Sequence, residues 1–183
     1  MRTRHQVLAG VAIAATGAAL FTTTRTIGRH PRGNAKVPEP AKPVDLQRYL
    51  GLWYEIARYD QRFERGCISA TAEYTLRDDG RISVVNIGRK RDGTSKTAHG
   101  VAKVVDTSTN AKLKVRFFGP FGGDYWVLDH ADDYGWSIVG EPSGRYLWIL
   151  ARDPNLDSAQ VKELTKRAAG LGYDTSMLFF DKH

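Results

Sequence analysis

Between Trp53 and Arg152 apolar and polar residues alternate over short runs. Turn signals close the runs: Asp78-Asp79-Gly80, Asp92-Gly93, Thr109-Asn110, Gly119-Pro120, Tyr134-Gly135 and Ser143-Gly144. A period of two places successive side chains on opposite faces of a strand. Eight strands are predicted, near residues 52–60, 68–77, 82–89, 97–106, 112–118, 124–129, 136–141 and 145–152. Short strands repeating at this spacing build an all-β sandwich or barrel.

Two runs alternate cleanly enough to sort their faces. Ala70, Ala72, Tyr74 and Leu76 oppose Thr71, Glu73, Thr75 and Arg77, and Leu113, Val115 and Phe117 oppose Lys112, Lys114 and Arg116. Each of these strands therefore has a wet face and a dry one. The dry faces include Ala57, Ala70, Ala72 and Gly88, where a solid core favours branched side chains. Two readings stay open: small residues leave room inside, or they fit the taper of a packed barrel.

Beyond Arg152 the period changes. Asp157 followed by Gln160 is a capping signal, Val161, Leu164, Ala168 and Leu171 form an apolar stripe, and Gly170 or Gly172 marks the end. This predicts one amphipathic helix against the outside of the strands, and residues 176–181 read as a further short strand at the edge.

The N-terminus has a different pattern. Arg2, Arg4 and His5 precede an uncharged run of 15 residues, Val7 to Phe21, rich in alanine and glycine. A basic start, an apolar run and small residues towards its end make up an export signal. With Thr22, Thr23 and Thr24 the run reaches 18 residues, at the edge of what crosses a bilayer, so a retained anchor and a cleaved signal are both open. Residues 25–43 carry four of the seven prolines and read as a flexible or extended linker. The expected organisation is a signal or anchor over 1–24, a linker over 25–43 and one barrel domain over 44–183, which suits a chain of 183 residues.

Charge and cysteine content narrow the chemistry. The formal net charge is +7, but residues 1–43 hold seven Lys or Arg and one acid, leaving 20 basic and 19 acidic residues in the rest. A nucleic-acid surface needs clustered basic residues on the folded part, so nucleic acid is set aside as a partner. Cys67 is the single cysteine, so neither an intrachain disulfide nor a thiolate metal cluster can form.

These features together resemble the lipocalin family. The motif G-x-W stands at Gly51, Leu52 and Trp53, and a late arginine, Arg152, follows the last strand. The resemblance implies an eight-stranded antiparallel up-and-down barrel whose closed end is lidded by the Arg152 guanidinium stacked on the Trp53 indole. Residues 48–66 (RYLGLWYEIARYDQRFERG), 74–80 (YTLRDDG), 113–121 (LKVRFFGPF) and 146–154 (YLWILARDP), with the helix after them, occur in the order seen in bacterial outer-membrane lipoprotein-type lipocalins and their apolipoprotein D-like relatives. The likeness runs from Leu46 to Asp181. Two departures stand out: no lipid-acceptor cysteine follows the apolar run, and Gly122 occupies a place where a bulky aromatic is expected.

The resemblance implies a lipid with an acyl chain, a fatty acid or lysophospholipid, bound without a cofactor for storage or transport in membrane maintenance. It also implies an exported protein of a bacterial envelope, periplasmic or held at the membrane surface through its N-terminal segment. Strand parity nominates Ala57, Tyr59, Ala70, Ala72, Tyr74, Val84, Phe117, Tyr125, Trp136 and Trp148 as the cavity lining, with Trp148 the preferred ligand contact. Gly51, Trp53 and Arg152 are expected to be structural. Some relatives of the fold isomerise or de-epoxidise lipids; here Cys67 offers a thiol near Arg62 and Arg65 but, following a loop glycine, reads as inert packing, His99 and His130 have no carboxylate at a telling spacing, and Asp129, Asp132 and Asp133 read as a solvated turn. A pigment- or haem-binding barrel would need an inward histidine. Phe118, Phe121 and Trp126 near one loop suggest a weak homodimer.

Overall fold

The computed structural model describes residues 31–117, 119 and 122–183, so the apolar run, most of the first part of the linker, Phe118 and Phe121 lie outside the described residues. Strands β1 (Gly51–Tyr59), β2 (Cys67–Leu76), β3 (Ile82–Lys90), β4 (Ser95–Val104), β5 (Lys112–Arg116), β6 (Gly123–His130), β7 (Trp136–Gly140) and β8 (Leu147–Ala151) follow the predicted runs to within two residues at each end. Each pairs antiparallel with its neighbour in sequence, and β1 pairs with both β8 and β2, closing an eight-stranded up-and-down barrel.

A ninth strand, β9 (Leu178–Phe180), completes the closure. β1 pairs with β2 only from Gly51 to Tyr54, then with β9 from Ala57 to Tyr59. The Asp181 and Lys182 amides donate to the Ile56 and Ile68 carbonyls, and an Asp181 carboxylate oxygen accepts from the Ala70 amide. The chain end thus fills the opening between β1 and β2, satisfying edge groups that would otherwise be left without partners.

Helix α1 (Leu46–Tyr49) is one turn, too short to leave a periodic signal, and Asp45 caps it. Helix α2 (Ser158–Gly170) starts with the expected reciprocal Asp157–Gln160 capping box and turns Leu164 and Ala168 inwards. It lies on a cluster that includes Ile56, Ala57, Tyr59, Leu128, Ile138, Leu147, Ile149 and Ala151 on the outer face of β1 and β6–β8. The barrel interior holds a separate cluster, with Trp53, Tyr74, Val84, Leu113, Val115, Val127, Val139 and Leu150 among its members. Residues 34–43 run over the barrel surface, where the Asn34 and Ala41 amides donate to the Ser143 and Leu128 carbonyls. Among the described residues no helix is long and apolar enough to cross a membrane.

Candidate functional site

The closed end is built from the start of β1. Gly51 has φ +94°, a left-handed backbone that a side chain disfavours, and this turn delivers Trp53 to the barrel floor with no exposed surface. The indole Nε1 donates to the Tyr49 carbonyl at 2.8 Å, and the Arg152 guanidinium sits 3.8 Å from the ring centre. Arg152 also donates to the Arg48, Tyr49, Leu50 and Leu52 carbonyls. Three of these, on Arg48, Tyr49 and Leu50, are carbonyls that a one-turn helix leaves without intrahelical partners, and the fourth belongs to the start of β1. Above this floor the Tyr125 hydroxyl lies 2.9 Å from both the Tyr49 and Tyr74 hydroxyls, and Tyr49 lies 3.2 Å from Ser137 Oγ. Burial pushes the Tyr49 phenol up to about 12 and raises Tyr74 and Tyr125, so all three stay neutral donors and acceptors.

Above the tyrosines lies a cavity of about 450 Å³. The size suits a small-molecule site, and the wall is mostly apolar with a few polar groups. Ala70, Ala72, Tyr74, Val84, Phe117, Tyr125 and Trp148 border it, joined by Val115 and Leu150. The other end of the barrel is the mouth, where Phe63 and Glu64 of the β1–β2 loop, Gly122 before β6 and Gly123 at its start, and Glu141 and Tyr146 between β7 and β8 border the same space. A Cβ on Gly122 would come within 3.0 Å of Arg116 Cγ and 3.1 Å of the Val115 carbonyl, so a larger residue there must push on the β5 end.

Three nominated lining residues face the other way. β1 has a bulge against β8 between Glu55 and Ala57, which adds one residue and exchanges the faces beyond it. Ala57 and Tyr59 therefore leave the interior and pack under α2, while Arg58 turns in. Trp136 also lies outside, with the Arg167 guanidinium of α2 5.1 Å from its ring centre. The small residues divide between the two open readings. Ala70 and Ala72 leave space at the cavity, whereas Gly88 permits close packing, since a Cβ there would lie 2.6 Å from Cys67 Sγ.

Sequence reasoning missed a charged group in the wall. Glu55 shares the face of Trp53, before the bulge, and borders the cavity although only 5% exposed. Arg58, 1% exposed, donates to Glu55 at 2.8 Å, to Asp181, and to the Cys67 carbonyl at 2.8 Å. Its Nε lies 3.7 Å from Glu64 Oε2 without a hydrogen bond between them. One guanidinium thus faces three carboxyls. Against the pull of Arg58, burial raises Glu55 well above its ordinary range and lifts Glu64 to about 7, in both cases reinforced by neighbouring carboxylates, and burial alone lifts Asp181 to about 6. The Trp148 indole donates to Glu64 Oε1 at 3.3 Å and so links this group to the ligand contact expected from sequence.

The candidate chemical groups lie elsewhere. Cys67 is buried and its thiol is raised by burial, opposite to what activates a nucleophile. His99 is exposed on β4, and both ring nitrogens of buried His130 face backbone carbonyls, of Ala131 at 2.8 Å and Pro43 at 3.0 Å. Among the described residues no histidine borders the cavity.

A closed antiparallel barrel with a G-x-W floor, an arginine lid and an internal cavity defines a lipocalin. The chain belongs to that family: the lipocalin-like domain profile matches residues 44–183. It is 42% identical over 149 residues to the outer membrane lipoprotein Blc of Vibrio cholerae, covering 79% of this chain and 87% of that one. It is 38% identical over 152 residues to apolipoprotein D of Rattus norvegicus, covering 78% of each. Insecticyanin of the tobacco hornworm Manduca sexta shares the fold, with a TM-score of 0.64 at 23% identity over 85% of this chain and 87% of that one. Lobster apocrustacyanin A1 gives 0.58 at 18% identity, over 79% of this chain and 89% of that one.

Proposed function

We propose that the protein holds a lipid bearing one acyl chain, of the fatty acid or lysophospholipid kind, as a carrier or store in a bacterial envelope. The observation that carries the reading is the cavity of about 450 Å³, bordered by Ala72, Val84, Val115, Phe117, Trp148 and Leu150 and reached through a ring of loops. An alkyl chain gains about 25 cal/mol for each Å² of apolar surface it removes from water, and a wall of this kind asks for little else. Membership of the lipocalin family supports hydrophobic ligand binding, and the relatives named for the outer membrane and for apolipoprotein support a lipid and an envelope setting. We assign residues 1–24 as the export signal or anchor and residues 44–183 as the binding domain. Association with the membrane then rests on that segment, because the single cysteine, Cys67, lies in β2.

Titration of tryptophan fluorescence with a single-chain amphiphile tests the reading. Saturable quenching is expected from Trp148, and Ala72→Phe, which fills the cavity, should weaken binding at least tenfold. Quenching that Ala72→Phe leaves intact would place the ligand outside the barrel and sink the proposal.

A further inference from the structure

The polar part of the cavity wall is one-sided. Its charged members are Glu55, Glu64, Asp124 and Glu141, and among the described residues no lysine, arginine or histidine borders the space. Asp124 is matched by Lys114 at 3.1 Å, and Glu141 is held by the Ser143 hydroxyl and by amides of its own turn. Glu55 and Glu64 depend instead on Arg58, which does not border the cavity and already serves Asp181 and a carbonyl. Two buried acceptors on cavity-lining residues, Glu64 Oε2 and Asn86 Oδ1, have no hydrogen-bond donor, Glu64 Oε2 lying 3.7 Å from the Arg58 Nε. Buried acceptors without donors cost free energy that a ligand donor can recover.

We infer that the cavity selects lipids whose head group is a cationic hydrogen-bond donor, an ammonium above all, seated against Glu64 with Glu55 behind it, and that it discriminates against anionic single-chain lipids. The inference rests on the acyl-chain reading above and narrows it: of the two kinds of lipid named there, it favours a lysophospholipid whose head group carries an ammonium and disfavours the fatty acid. An ammonium brings the missing positive charge to a group holding one guanidinium and three carboxyls. It also supplies donors to wall atoms that lack them. A carboxylate head brings a further negative charge and a further set of acceptors beside carboxyls that are already buried, where like charges repel more strongly than in water. A neutral hydroxyl head donates one hydrogen bond and should fall between the two.

The test compares dodecylamine, dodecanol and dodecanoate, which share one chain length, by equilibrium titration of the purified protein at pH 8. The amine should bind at least tenfold tighter than the carboxylate, and Glu64→Gln should reduce that ratio to about threefold or less, a comparison that a variant unable to fold cannot mimic because it binds neither ligand. A carboxylate that binds as tightly as the amine, with dodecanol also bound, would overturn the head-group inference while leaving the acyl-chain reading standing. Failure of all three to bind would remove both. An unchanged ratio in Glu64→Gln, with the amine still preferred, would also overturn the role given to this wall.

Discussion

Two arginines are buried in this barrel by opposite means. Arg152, at the closed end, is half-buried, stacked on Trp53 and surrounded by four backbone carbonyls, which are neutral acceptors. Arg58, towards the mouth, is wholly buried and faces the carboxyls of Glu55, Glu64 and Asp181. Carbonyls do not titrate and carboxyls do. The first arginine therefore makes a fixed lid, while the second belongs to a group whose charge follows pH. Neutral acceptors hold the closed end, whereas the mouth-side group keeps buried charge at a cost in stability.

The largest expected effect separates the two directly. Arg58→Gln strips the guanidinium from three buried carboxyls and should cost about 3–5 kcal/mol at pH 7.5 by urea denaturation, because an uncompensated buried charge is left behind. Much of that loss should return at pH 5, where protons replace the missing cation. Arg152→Gln should cost about 2 kcal/mol, the scale of a few charge-assisted hydrogen bonds with a cation–π contact, and the cost should be the same at both pH values. Equal pH dependence in the two variants would erase the distinction.

The unmodified protein should show the same signature. Glu64 and Asp181 carry values raised to about 7 and about 6 from ordinary values of 4.5 and 3.8. Raised carboxyls bind more protons folded than unfolded, so their contribution is fully present below pH 4 and is lost as the pH climbs through 6 and 7. Urea midpoints should fall by an amount equivalent to a few kcal/mol between pH 5 and pH 8, and Glu64→Gln should flatten the curve. A midpoint that rises across this window would contradict the assignment. The smallest effect belongs to the floor: Gly51→Ala forces a side chain onto φ +94° with only ordinary contact to Arg152, and should cost about 1–2 kcal/mol in the same denaturation measurement.

How far the fold could be read from sequence depended on which side of the barrel a strand occupies. β2 and β5 have an outer face in water, and the resulting alternation placed Ala70, Ala72, Tyr74 and Phe117 at the cavity. β1 and β7 are covered outside by α2, so residues 55–59 and 137–140 are buried on both faces and carry no alternation to read. Parity there had no support. A bulge beyond Glu55 then sufficed to move Ala57 and Tyr59 outside, and Trp136 packed under Arg167 instead of inwards. Glu55 stands two residues after Trp53 and so shares its parity, but a charged side chain is a disfavoured occupant of a dry interior. Glu64 sits in a loop without periodicity, and only the fold brings it to Arg58 and Trp148.

The most direct test of the container itself is native mass spectrometry of the protein purified without detergent, followed by release and identification of whatever is bound. A fraction carrying one small molecule per chain is expected, the molecule having a single long alkyl chain, and Trp148→Ala should diminish that fraction. Protein that is uniformly empty, and that stays empty after incubation with single-chain lipids, would contradict the reading of the cavity as an acyl-chain site.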